Sequence, residues 1–374
     1  MATEARLRAK AECRYLMCMK RSSAHAPAAD HALSARATSY DVARLAGVSQ
    51  STVSRCFSPD SKISPQTRAR VQAVAVRLGY TPNAIARSLI LRRSGMVGVL
   101  ITKQSIQATP DMMTAIGDAL AAVDRRLLLL AVEDESAVAA AIGGAFAYPL
   151  DGLIACATVG RQDIRSFGAR GVPVVLFNRQ ADSAGVDCVC TDHVEATSRV
   201  ASLLHEAGHR QFVCVGGPLD APVSRERVHG FVTRLDELGI HEVPVLTADY
   251  SYSGGARAFR DYAGSGGRPD AVFCANDQLA MGVLDTCRFT LRWRVPDTLS
   301  VVGFDDVEAA GRPSYDLATI RQQLPEMAHA AVALLLARVA ARDAPPRRVL
   351  VPGIIVPRRS ARLGQPSDQE QCVL

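Results

Sequence analysis

No apolar run in the chain approaches the roughly 20 residues that a membrane-spanning helix needs. The alanine- and arginine-rich first segment also lacks the apolar stretch of a secretory signal. The expected location is therefore the cytoplasm, with no membrane partner. The ten cysteines form no spaced framework. Cys156, Cys214 and Cys274 sit in apolar runs and read as buried, reduced thiols. Cys188 and Cys190 are spaced wrongly for a zinc or redox CxxC pair. No nucleophile–base pair and no phosphate loop is legible, so neither an enzyme nor a cofactor is expected. After Ala361 there is no leucine heptad of the kind that builds a coiled coil. One catalytic-looking motif remains, His205-Glu206-Ala207-Gly208-His209, which matches the zinc pattern H-E-x-x-H. Zinc binding needs both histidines on one face of a continuing helix. Gly208 and the apolar run after it predict that the helix stops there, leaving His209 beyond its end.

What the sequence does contain is an uneven distribution of charge. The chain has 374 residues, of which 48% are apolar, enough for two or three folded units. Residues 1–95 carry 16 Lys and Arg against 5 Asp and Glu, whereas residues 96–374 carry 27 against 32. A head of net +11 thus precedes a body of net −5, and the imbalance points to a polyanionic partner for the head alone.

Residues 1–37 show no periodicity and read as a disordered tail. From Thr38 three short helices are predicted. Val42, Leu45 and Ala46 form one apolar face before Gly47, and Ser49 caps a second helix with Val53, Cys56 and Phe57 on one side. Ser64-Pro65 starts a third, in which Val71, Val74, Ala75 and Leu78 recur until Gly79. In the second helix Gln50, Ser51, Ser54 and Arg55 share the arc opposite the apolar one. These are residue types that read base edges, while Ser49 and Thr52 at the helix start suit phosphate contacts.

Beyond Arg93 the texture changes to short runs rich in Val, Ile and Leu: Met96–Ile101, Leu127–Val132, Gly152–Cys156, Val172–Phe177, Phe212–Gly216, Ala271–Cys274 and Ser300–Phe304. Helix-length segments separate them. Strands apolar on both faces and alternating with helices predict parallel, doubly wound α/β sheets. Polar residues follow several of these runs, at Asn178-Arg179, Asn276-Asp277 and Asp305-Asp306, where such folds bind ligands.

The segment Tyr40-Asp41-Val42-Ala43-Arg44-Leu45-Ala46-Gly47-Val48-Ser49-Gln50-Ser51-Thr52-Val53-Ser54-Arg55 closely resembles the helix-turn-helix signature of the lactose/galactose repressor (LacI/GalR) family. The likeness continues through Ile63-Ser64-Pro65, Leu78-Gly79-Tyr80 and Pro82–Leu89, and reaches the strand near Val356. Ser39 departs from it, standing where the family usually has an apolar residue. The resemblance implies a helix-turn-helix head over 38–81, and a hinge helix and linker over 82–95. It further implies a two-lobed, periplasmic-binding-protein-like sensor over 96–357 and a tail over 358–374. Lobe 1 is expected at about 96–190 and 323–351, and lobe 2 at about 191–322 and 352–357.

By the same resemblance Gln50, Ser51 and Arg55 read bases of double-stranded operator DNA, and Tyr40, Ser49, Thr52 and Asn83 contact phosphates. Ala86 and Leu89 belong to the hinge helix, with Leu89 wedged between base pairs in the minor groove. Asp111, Asn178, Arg179, Arg227, Tyr250, Asn276 and Asp305 are the expected effector contacts. The loop Thr102–Asp111 lacks the family's aromatic pair, and Asn178 stands where an Asp is frequent. With Arg179 and Arg227 nearby, the effector is open between a sugar, a sugar acid and a sugar phosphate. The implied protein is a homodimeric, nucleoid-associated repressor of carbohydrate-related genes. The competing class is a solute-binding protein for a sugar or sugar acid, which would need the two-lobed body but no head.

Overall fold

The structure, a computed structural model, describes residues 37–57, 61–81, 94–179, 185–219, 221–342 and 344–364. The chain divides into two compact units, residues 1–83 and 84–374.

The first unit is helical: α1 (Ser39–Ala46), α2 (Gln50–Cys56) and α3 (Pro65–Leu78). Thr38 and Asp41 form a capping box at the start of α1. Gly47 and Gly79 end α1 and α3 with φ of 62° and 61°, a left-handed conformation that costs glycine little. Val42, Ala43, Ala46, Val53, Cys56, Val71 and Ala75 make the core. Leu45, expected on the apolar face of α1, is instead 48% exposed. The small side chain of Ala43 packs inward in its place, because α1 turns a face centred on Val42 and Ala46 toward its neighbours.

The second unit alternates strand and helix. In chain order come β1 (Met96–Thr102), α4 (Lys103–Ala108), α5 (Asp111–Ala122), β2 (Arg126–Val132), α6 (Val138–Ala145), β3 (Gly152–Ala155), α7 (Arg161–Ala169), β4 (Val174–Phe177) and β5 (Asp187–Thr191). The chain continues through α8 (His193–Glu206), β6 (Phe212–Gly216), α9 (Pro222–Glu237), β7 (Val245–Thr247), α10 (Tyr252–Gly264), β8 (Ala271–Cys274), α11 (Asp277–Asp285) and β9 (Ser300–Val302). It closes with β10 (Thr319–Arg321), α12 (Leu324–Ala340), β11 (Arg348–Val351) and β12 (Ile354–Val356).

Two parallel sheets result, ordered β11-β5-β4-β3-β1-β2 and β7-β6-β8-β9, with β10 and β12 pairing antiparallel. In the first lobe α5 and α12 cover one face and α6 and α7 the other. In the second lobe α10 and α11 oppose α8 and α9. The chain passes between lobes after β5, after β10 and after β11, so three crossings join them.

The segment after β1, read as a loop from Thr102 to Asp111, contains helix α4. Thr102 caps it by accepting from the Ser105 amide. No residue of α4 is buried, so it has no apolar periodicity from which a helix could have been predicted.

Candidate DNA-reading helix and effector cavity

Helix α2 is held from behind. Val53 and Cys56 are fully buried against α1 and α3. Arg68 of α3 donates from Nη1 to the Cys56 carbonyl (2.8 Å), satisfying an end-of-helix acceptor with a cation. Ser49 caps the other end, accepting from the Thr52 amide (3.2 Å), and its hydroxyl also bonds those of Ser51 (2.9 Å) and Thr52 (2.8 Å). Gln50, Ser51 and Arg55 are exposed, while Ser54 and Thr52 are half-buried. Arg55 lies back along its own helix, donating to the Ser51 carbonyl (3.3 Å). Gln50 reaches across to donate to the Ser39 hydroxyl (3.3 Å), so the residue that departs from the family pattern holds the Gln50 side chain. Tyr40 is 73% exposed on α1. Asn83, Ala86 and Leu89, and with them the hinge helix, lie outside the described residues.

In the second unit a cavity of about 650 Å³ opens between the lobes. Of the residues expected to meet an effector, Asn178, Arg179, Arg227, Tyr250, Asn276 and Asp305 all line it. Most are placed by element ends, whereas Arg227 lies within α9. Asn178 follows β4 with φ of 51°, its amide tied to the Val189 carbonyl (2.7 Å). Asn276 caps α11 through Oδ1 (2.9 Å to the Leu279 amide), and its Nδ2 donates to the Tyr250 carbonyl (3.1 Å). Tyr250 has φ of 63°, its hydroxyl is buried, and its ring lies against Gly217, where any Cβ would overlap it. Burial pushes that phenol's pKa up.

Arg227, 3% exposed, is the most heavily engaged of these groups. Its guanidinium lies 3.6 Å from the Phe304 ring centre. Nη1 donates to the Ala275 carbonyl (2.6 Å), Nη2 pairs with Asp305 (3.1 Å), and Nε donates to His193 Nδ1 (3.3 Å). Burial raises the Asp305 pKa, and Arg227 and the Gln322 amide group offset part of the rise. Arg179 faces Ser105 (3.4 Å) and Glu135 (3.8 Å).

Asp111 stands apart from the expected set. It opens α5 and lines a separate cavity of about 350 Å³ with Asp118, Asp306 and Arg321. Helix α4 intervenes between β1 and α5 and takes the place in the large cavity that an extended loop would have left to Asp111.

Reading the sequence alone missed Gln104, Ser105, Glu135, Thr158 and Gln322, which also line the cavity, and His193 behind it. Gln104 donates to the Asp249 carbonyl (2.7 Å), bridging the lobes at the cavity mouth. Gln104, Glu135, Thr158, Gln322 and His193 carry no local signal, since each has a partner distant in the chain; Ser105 is held locally by the Thr102 hydroxyl.

The H-E-x-x-H motif is divided by the end of α8 at Glu206. Gly208 takes φ of 94°, and His209 turns inward, buried near Asp270 (3.5 Å) and the Arg362 carbonyl (3.3 Å). The two histidines therefore do not share a helix face.

Residues 38–83 match the model of the bacterial regulatory proteins of the lacI family, and residues 201–361 match a periplasmic binding protein-like domain. The ribose operon repressor of Escherichia coli (strain K12) is 30% identical over 331 residues, 87% of this chain and 100% of that protein. A lac repressor dimer bound to operator and the anti-inducer ONPF superposes with a TM-score of 0.78 at 26% identity, over 87% of this chain and 99% of that one. The transcriptional regulator CelR in complex with cellobiose does so with a TM-score of 0.64 at 27% identity, over 87% and 100%.

Proposed function

Because the chain belongs to the lacI family of bacterial regulatory proteins, we propose that it represses carbohydrate-related genes by binding operator DNA as a homodimer, under the control of a small sugar-like effector. The protein works in the cytoplasm, on the nucleoid. The observation that carries this reading is the division of α2: Val53 and Cys56 fully buried, Gln50, Ser51 and Arg55 open. A helix supported on one side and polar on the other is the form that enters a major groove. We assign base reading to Gln50, Ser51 and Arg55, phosphate contact to Tyr40, Ser49, Thr52 and Asn83, and minor-groove contact to Ala86 and Leu89.

The inter-lobe cavity is the proposed effector site, with Asn178, Arg179, Arg227, Tyr250, Asn276 and Asp305 as contacts. Its charged lining comprises Arg179 and Arg227 against Asp134, Glu135 and Asp305. Arg227 already pairs with Asp305 and Arg179 faces Glu135. That balance favours a neutral polyol over a sugar acid or sugar phosphate. An effector shifts operator affinity only by binding the two lobe arrangements differently, and operator shifts effector affinity by the same factor. A solute-binding role alone would leave the exposed reading face of α2 without a task, and the family relationship supports the regulatory role.

Selection of bound fragments from random duplex DNA by the full-length protein should enrich a two-fold symmetric sequence. On that sequence Arg55→Ala should weaken discrimination by about 1–3 kcal/mol per half-site and leave non-sequence-specific binding largely intact. Enrichment of no sequence would overturn the reading.

A further inference from the structure

In and behind the cavity wall runs a ring of buried polar contacts. Thr191, the last residue of β5, donates its hydroxyl to Gln322 Oε1 (2.8 Å), and Gln322 Nε2 donates to Asp305 Oδ1 (2.8 Å). Asp305 accepts from Arg227 (3.1 Å), and Arg227 Nε donates to His193 Nδ1 (3.3 Å). His193 follows Thr191 by two residues, so the backbone at the first crossing closes the ring. All five residues are buried, His193 at 1% exposure.

The direction of these bonds assigns the imidazole tautomer. Arg227 can only donate, so His193 Nδ1 accepts and the ring proton of the neutral imidazole is on Nε2. Nε2 lies 3.1 Å from Asn178 Oδ1 and donates to it. Asn178 belongs to the first lobe, being anchored to β5, whereas His193 begins α8 and Arg227 lies on α9 in the second. Asn178, Arg227, Asp305 and Gln322 face the cavity; His193 does not.

We propose that His193 is a positioning residue that holds Arg227 of the second lobe against Asn178 of the first, making the resting angle between the lobes and the arrangement of the cavity wall a single variable. The inference rests on the reading of the cavity as the effector site, but its test requires neither effector nor DNA. A neutral imidazole suits the position because it offers one acceptor and one donor on opposite sides of a rigid ring. Without it, the Arg227 Nε–H and Asn178 Oδ1 are both left buried and unpaired. A buried unpaired polar group is costly, and parting the lobes to admit water relieves the cost.

The test is the distance distribution between spin labels carried on p-acetylphenylalanine at Gln162 and Arg260. Both positions are exposed, one in each lobe, and pulsed electron spin resonance would be recorded on the full-length protein. His193→Leu should shift the mean separation and widen the distribution about two-fold as the lobes come uncoupled. His193→Gln, which supplies both an acceptor and a donor, should restore the wild-type distribution. Unchanged distances in His193→Leu would overturn the proposal, as would a His193→Gln protein as broad as His193→Leu, which would indicate packing alone. If His193→Leu does not fold, Asn178→Ala removes the same bond from the other side and should broaden the distribution equally; unchanged distances there would also refute it. Failure to enrich any DNA sequence, with these distances behaving as expected, would defeat the repressor reading and leave this one standing.

Discussion

At the scale of single residues, the buried imidazole of His193 makes stability depend on pH. Burial, reinforced by the cations Arg227, Arg179 and Arg348, holds its pKa well below the ordinary 6.5. The other groups against it, Asn178 and the Phe304 ring, are uncharged. As pH falls below 6.5 the unfolded chain takes up a proton that the folded protein refuses, so the folded state loses stability. The loss approaches about 1.4 kcal/mol per pH unit for one such group, and continues until the folded pKa is reached. The His209 pKa is also lowered, chiefly by burial, and contributes in the same direction. Subtraction of His193→Gln separates the two. Denaturant midpoints measured at pH 7 and at about pH 5.5 should show a smaller acid loss for His193→Gln than for wild type. Parallel pH profiles would mean that His193 titrates normally.

Between elements, α10 and α11 of the second lobe meet closely through two glycines. A Cβ at Gly282 of α11 would stand 2.1 Å from the Tyr252 carbonyl oxygen, and one at Gly255 of α10 would stand 2.4 Å from that of Leu279. Backbone cannot yield as the tip of a side chain does. Gly282→Ala should therefore cost at least about 1–3 kcal/mol, despite alanine's better helix propensity, whereas Gly117→Ala, on a helix with open space at that point, should be neutral or stabilising. Urea unfolding of the two variants provides the comparison.

Legibility of several elements followed their burial, although β2 was visible as an apolar run while mostly exposed or half-buried. The strands buried on both faces, such as β3, β4, β6 and β8, were visible as apolar runs because nothing polar is tolerated on either side. β7 and the first three residues of β11 alternate between exposed and half-buried positions, with only Val351 of β11 buried, and the runs are too short for a period to register. The same contrast holds in the cavity. Asn178, Asn276 and Asp305 could be picked out because each directly follows a strand or its last buried residues. His193 and Gln322 could not, because their partners Arg227 and Asp305 lie 34 and 17 positions away. Asp111 lines a separate cavity from the other expected residues, and α4, which stands between β1 and α5, shows no apolar face by which it could have been foreseen.

Over the whole molecule, charge is segregated in sequence, with net +11 in residues 1–95 and −5 in residues 96–374. DNA and effector should therefore respond differently to salt. If a dimer displaces counterions from roughly 6–10 phosphates, operator affinity should fall about 10³–10⁵-fold between 50 and 200 mM salt. A neutral polyol entering a cavity whose cations are already matched by carboxylates displaces no counterions, and its affinity should hardly change over that range. A sugar phosphate would have to compete with Glu135 and Asp305 for Arg179 and Arg227, and its binding should weaken as salt screens the attraction. Melting-temperature shifts over a panel of neutral sugars, sugar acids and sugar phosphates, recorded at both salt concentrations, separate these cases. A neutral hit whose shift survives high salt, on a protein whose DNA binding does not, is the expected result. A salt-sensitive shift confined to phosphorylated sugars would show that the two arginines act as an anion site rather than as paired charges. Salt-insensitive DNA binding would remove the electrostatic basis for assigning the head to a duplex.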